Sequence, residues 1–149
     1  MSQATEAYKR QVRDAFNAVQ VGQVYRFRRT FTEADMSLFC GVTGDLNPYH
    51  LDEAFAREGP FGRRIIPGLL TGRMITHIGG MIGFMATEMQ FQFLAAVYPG
   101  DTITCTVTIV EKDERQHTLV GEGNMVNQDE REVLHASFIG FPSDVRLAH

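Results

Sequence analysis

Residues 65–85 read IIPGLLTGRMITHIGGMIGFM, and this stretch decides how the rest of the chain has to fold. Leu70, Met74, Ile78, Met81 and Met85 recur three or four positions apart, the period of a helix. Its length is that of a membrane span, but Pro67, Arg73 and His77 interrupt it, and one charge near mid-span costs about 2.5–3.5 kcal/mol. A buried helix of a soluble domain is the better reading. Gly72, Gly79, Gly80 and Gly83 each lower helix propensity. They suit a helix lying close against a sheet, or they mark a break near Gly79-Gly80, and the pattern leaves both open.

Beyond this helix the pattern changes to strands. Residues 89–95 are apolar and end at Tyr98-Pro99-Gly100-Asp101, a strong turn signal. Residues 102–111 alternate threonine with Ile103, Cys105, Val107 and Ile109, as a half-buried strand does. Two further strands are expected over 117–126 and 132–141, separated by turns at 112–116 and 127–130. The part of the chain before the helix is mixed. Residues 1–20 read as an N-terminal helical extension and residues 23–31 as a first strand. Thr32-Glu33-Ala34-Asp35 is close to a capping box and opens a helix through Met36, Leu38, Phe39 and Val42 that ends at Gly44. A short helix is expected over 51–57. One strand, then helices, then consecutive antiparallel strands describes an α+β domain over 21–149. A helix apolar on most faces needs a sheet curled around it, and that sheet's open edge favours a dimer.

Composition narrows the partners. The formal charge of −4, with no dense basic cluster, argues against nucleic acid. Cys40 and Cys105 lack any C-x-x-C spacing and suit a reduced, cytoplasmic protein. Residues 1–13 are polar and mixed in charge, unlike a secretory leader.

The residues with chemical potential sit in Gly44-Asp45-Leu46-Asn47-Pro48-Tyr49-His50. Asn47-Pro48 forces a turn that sets Asp45 and His50 on either side of it, and a carboxylate beside an imidazole can move protons at neutral pH. Asp45 is equally an ordinary turn residue, His50 a cap, and Asn47 either a loop brace or a donor to substrate; taken alone, the loop reads first as turn chemistry. Pro67-Gly68 opens a helix whose first N–H groups are unpartnered donors, suited to a developing oxyanion or simply to a helix start. Thr76 would bond back to a helix carbonyl, as helical threonines do. His77, His117, His135 and His149 show no metal-ligand spacing, so no metal is expected, and no P-loop, dinucleotide or nucleophile-elbow motif occurs.

The residues from Phe39 to Ala56 resemble the signature loop of the MaoC-like (R)-specific enoyl-CoA hydratases, also called hydratase 2. Ile65-Ile66-Pro67-Gly68-Leu69-Leu70-Thr71 resembles the same family's helix-opening motif, and Tyr98-Pro99-Gly100-Asp101-Thr102 its turn into the later strands. The resemblance covers residues 31–142 in order and implies a hot-dog fold, a curved antiparallel sheet around a long central helix, in a dimer with sites near the subunit interface. It implies that Asp45 and His50 activate a water that adds across a trans-2-enoyl-CoA to give an (R)-3-hydroxyacyl-CoA, or run the reverse dehydration. It implies further that the Gly68 N–H holds the thioester oxygen, that Asn47 orients loop or substrate, and that Thr76 supports the loop where relatives carry serine. The acyl-CoA is substrate, and no cofactor is implied. Pro67 replaces a frequent histidine and Tyr49 a small aliphatic residue, both near the acyl pocket. Two other readings share the fold: a dehydratase acting on 3-hydroxyacyl chains on acyl carrier protein, and a non-catalytic acyl-CoA-binding domain. Arg63, Arg64 and Arg73 are candidates for the carrier's phosphates, or a solvated cluster.

Overall fold

The computed structural model describes residues 3–143. In chain order it contains α1 (Glu6–Ala18), β1 (Val24–Thr30), α2 (Glu33–Thr43), α3 (Pro48–Leu51), α4 (Glu53–Glu58), α5 (Gly68–Gly72), α6 (Met74–Met81), β2 (Phe84–Phe93), β3 (Thr102–Asp113), β4 (Thr118–Val126) and β5 (Glu132–Pro142). The strands form one antiparallel sheet in the order β1-β3-β4-β5-β2. Every strand sends side chains towards α5 and α6: Phe27 from β1, Ile103, Cys105 and Val107 from β3, Met125 from β4, Leu134 and Ala136 from β5, and Phe91 from β2 gather around Leu70, Met74, Ile75 and Ile78. This is the α+β hot-dog arrangement, with the helix held in the curl of the sheet.

Local chemistry explains the elements that deliver the site. The capping box at α2 is complete: the Thr32 hydroxyl accepts from the Asp35 N–H at 3.2 Å, and the Asp35 carboxylate accepts from the Thr32 N–H at 2.9 Å. Gly44 ends the helix in the left-handed region at φ 73°, where a side chain would be strained. The Pro-Gly-Asp turn before β3 is held by Asp101, whose carboxylate accepts from the Tyr98 N–H and the Gln128 amide, both at 2.9 Å.

The central helix differs from the expectation in two ways. Arg73 divides it, but with φ −57° and ψ −14° the backbone stays right-handed, so a single turn residue separates α5 from α6. It also ends at Met81; Gly83, at φ 60°, turns the chain into β2, so Met85 belongs to a strand and β2 begins five residues before the expected 89. Gly79 and Gly80 stay inside the helix without a break. The close approach is made by other glycines. A Cβ on Gly68 would lie 2.6 Å from the Phe93 ring, and one on Gly72 would lie 2.9 Å from the Phe91 ring. On the sheet side, a Cβ on Gly121 would strike the Phe138 ring and one on Gly123 would lie 3.0 Å from Ile75.

Burial and turn chemistry account for smaller differences. The expected helix over 51–57 is two short ones, because Asp52 leaves the helical region and caps α4 by accepting from the Phe55 N–H. Leu38 and Val42 lie on the exposed face of α2, whose buried contacts come from Met36 and Cys40. His117 sits in the β3–β4 turn at φ 55° instead of in a strand. His149 lies outside the described residues. Among the described residues no helix is long and apolar enough to cross a membrane.

Candidate active site

The loop between α2 and α3 is built by its own hydrogen bonds. The Thr43 hydroxyl donates to the Phe39 carbonyl at 2.7 Å and accepts from the Asp45 N–H at 3.2 Å. Asp45 Oδ1 accepts from the Asn47 N–H at 3.3 Å, leaving Oδ2 for other partners. Asn47 Oδ1 caps α3 by accepting from the Tyr49 N–H at 3.1 Å, with Pro48 at the first helical position, where its missing N–H costs nothing. The Asn47 side-chain oxygen is thereby a loop brace.

His50 is buried at the end of α3, and its Nδ1 lies 2.8 Å from the Ile65 carbonyl oxygen. A carbonyl can only accept, so Nδ1 carries a proton, and Nε2 is the ring nitrogen left to face elsewhere. That nitrogen faces Asp45 Oδ2 at 3.6 Å, too long for a direct hydrogen bond.

Asp45 opens onto a cavity of about 530 Å³, within the size range of small-molecule sites. Gly68 lines the same cavity at the start of α5. Pro67 provides no side-chain cap there, and the first N–H groups of a helix have no partner inside it. The walls are mostly apolar, with Phe39, Phe61, Phe93, Val97 and Leu134 among them. Asp45 and the helix start thus line one space, while His50 is not part of that lining and adjoins it through Asp45. Thr76 lies apart: its hydroxyl donates to the Arg73 carbonyl at 2.6 Å, and the residue lines a separate cavity beside Met85 and Met89. Five positions carry a helical residue well over a turn along the helix and to a different face, so Thr76 cannot reach what Thr71 reaches. Thr71 does line the main cavity, and no signal in the sequence marks it beyond its place after Gly68.

Tyr49 lies outside the cavity lining. Its ring packs edge-on to Phe55 and Phe61, with centroids 5.0 and 5.5 Å away, and so acts on the wall through Phe61. The three arginines do not form a patch. Arg64 is held by Glu33 at 2.7 Å and Glu53 at 3.1 Å, Arg63 stacks on Tyr98, and Arg73 lies over Phe31. Burial, followed by the nearby Arg29 charge, lowers the Arg73 pKa. Burial, followed by the Asp45 charge, raises the Cys40 thiol, and burial pushes Cys105 up to about 12, so neither thiol supplies a thiolate nucleophile at neutral pH. Among the described residues no three histidine, cysteine or acidic side chains gather as a metal site.

Comparison with known proteins fits this geometry. The family model described as "MaoC like domain" matches residues 16–130, a span that includes Asp45, His50 and Gly68. The (R)-specific enoyl-CoA hydratase of Rhodospirillum rubrum is 34% identical over 98 residues, covering 63% of this chain and 68% of that protein. The 3-hydroxybutyryl-CoA dehydratase of Methylorubrum extorquens is 33% identical over 100 residues, covering 64% of each. The unliganded R-hydratase PhaJ1 from Pseudomonas aeruginosa superposes with a TM-score of 0.78 at 26% identity, over 85% of this chain and 84% of that one.

Proposed function

The chain belongs to the MaoC-like domain family, and from that premise we propose that it is a hydro-lyase adding water to a trans-2-enoyl-CoA to give the (R)-3-hydroxyacyl-CoA, or running the reverse dehydration. One observation carries the reading: Asp45 and the uncapped N–H end at Gly68 line a single, mostly apolar cavity, and His50 stands behind Asp45 across a 3.6 Å gap.

In this reading a water held between Asp45 Oδ2 and His50 Nε2 gives a proton to the imidazole while its oxygen bonds to the β-carbon. The alkene electron pair moves toward the thioester oxygen, and the enolate charge is met by the Gly68 N–H. Collapse of the enolate takes one proton at the α-carbon from the same Asp45–His50 pair. The pair gains one proton from water and returns one to carbon, so it ends as it began. The addition is redox-neutral overall, so acid, base and oxyanion donor suffice, and the CoA thioester enters as substrate.

The apolar walls suit an acyl chain, with Asn47 bracing the loop that presents the acid. β2 forms one edge of the sheet, and Met85, Phe93 and Leu94 along or just beyond it are exposed; we assign that edge to a second copy of the chain in a homodimer. The test is the loss of enoyl-thioester absorbance on mixing the purified protein with crotonyl-CoA and longer homologues, followed by chiral analysis of the product. Turnover to the (R)-alcohol is expected. Binding of acyl-CoA without hydration at any chain length would leave only the non-catalytic reading. Faster turnover of carrier-protein substrates than of CoA esters would move the reading to the dehydratase of acyl carrier protein.

A further inference from the structure

Thr71 presents a polar group that nothing in the fold uses. The residue is 2% exposed, and its hydroxyl is buried without a hydrogen-bond partner. A helical threonine ordinarily satisfies its hydroxyl on the carbonyl three or four residues back. Here the carbonyl four residues back is that of Pro67, which accepts from the Leu70 and Thr71 N–H groups at 3.0 and 3.3 Å, while the Thr71 hydroxyl remains unpaired. A buried hydroxyl without a partner destabilises a fold, and such groups in native proteins call for an explanation.

Its position supplies one. Thr71 lines the same cavity as Asp45 and Gly68. It lies three residues after Gly68, so the two share a helix face, and side chains on a helix lean toward its N-terminus. Thr71 therefore shares its face of α5 with the helix end where the Gly68 N–H is uncapped. Two potential donors within one turn thus belong to the lining of one cavity.

We infer that the Thr71 hydroxyl is a second hydrogen-bond donor to the thioester oxygen, acting beside the Gly68 N–H as negative charge develops there. This rests on the proposed hydration chemistry and adds a residue to it. A donor aimed at developing charge is worth more in the transition state than in the ground state, so its loss falls on kcat more than on KM.

The experiment compares wild type, Thr71→Val and Thr71→Ser with crotonyl-CoA and by thermal melting. Valine keeps the shape and removes the hydroxyl; serine keeps the hydroxyl and removes the methyl. The expected result is a fall in kcat/KM on the order of 10- to 100-fold for Thr71→Val, carried by kcat, with a melting temperature at or above that of wild type. Thr71→Ser is expected to stay within about threefold of wild type, a small residue of lost packing. Wild-type rates in Thr71→Val, or equal losses in both variants, would overturn the role of the hydroxyl. Failure of wild type itself to hydrate any enoyl thioester would overturn the hydratase reading, and the Thr71 role with it.

Discussion

The two ends of the central helix are treated in opposite ways. At the far end, the Gly83 carbonyl just past α6 accepts both the Ser143 N–H at 2.8 Å and the Ser143 hydroxyl at 2.7 Å. Beyond it α1 closes the fold: Phe16 and Val19 pack with Ile109 and Leu119, and Lys112 donates to the Phe16 and Val19 carbonyls, each at 2.9 Å. The Tyr25 hydroxyl, buried without a partner, is the exception there. At the near end Pro67 offers no cap, the Thr71 hydroxyl is unpaired, and His50 and Asp45 stand apart at 3.6 Å. One end is covered by α1 and Ser143, with a smaller apolar cavity beside it, while the other keeps the Thr71 hydroxyl unpaired at the cavity that Asp45 lines. Stability and chemistry are separated along a single helix, and substitutions should divide along the same line.

The largest effect belongs to the open end. His50→Ala is expected to lower kcat by about 10²–10⁴-fold, the usual worth of a positioned acid–base group, while the protein still melts cooperatively. Steady-state kinetics and circular dichroism on the same sample check both halves of that statement. At the covered end Phe16→Ala should do the reverse. Emptying this fully buried site should cost about 3–5 kcal/mol in denaturant unfolding, with the rate per folded molecule unchanged. A matching loss of kcat would mean the two ends are coupled.

Asp35→Asn probes the entry to the catalytic loop through the α2 cap. Burial pushes the Asp35 carboxyl up, but hydrogen bonds from Thr32 and Arg29 and the Arg29 charge together hold it below its ordinary value. A carboxyl depressed in the fold contributes stability that is complete above its unfolded value of 3.8 and is lost as pH falls through the lower folded value. The substitution should therefore cost about 1 kcal/mol at neutral pH, and the difference from wild type should shrink in acid. Thermal melts across pH measure that convergence. Thr76→Val should change least: lying away from the cavity, it is expected to keep kcat/KM within about twofold of wild type.

Much of this division was legible in the sequence. The Thr32–Asp35 box, the Gly44 stop, the Asn47-Pro48 turn and the alternating strand over 102–111 are local signals, and each appears within a residue or two of its expected place. Asp45 and His50 were readable as a pair because the turn between them fixes their approach. The interruption at Arg73 and the early start of β2 were not readable, since Met85 continues the helical period and the left-handed Gly83 turns the chain into the strand. Nor could spacing choose between Thr71 and Thr76. Both lie after Gly68 on one apolar stretch, and the choice is made by how the helix packs on the sheet, where Ile75 lies against Gly123, far away in sequence.

The most direct test of the central claim is crotonyl-CoA hydration by wild type and Asp45→Asn, with melting curves recorded on the same preparations. Asn47 bonds to Asp45 through its backbone N–H, which an amide oxygen at position 45 can still accept, so the loop should survive the change. Turnover is predicted in wild type, with a loss of at least about 10²-fold in the variant and nearly superimposable melts. A variant that hydrates at the wild-type rate would contradict this, and the chemistry would then have to lie outside the Asp45–His50 pair.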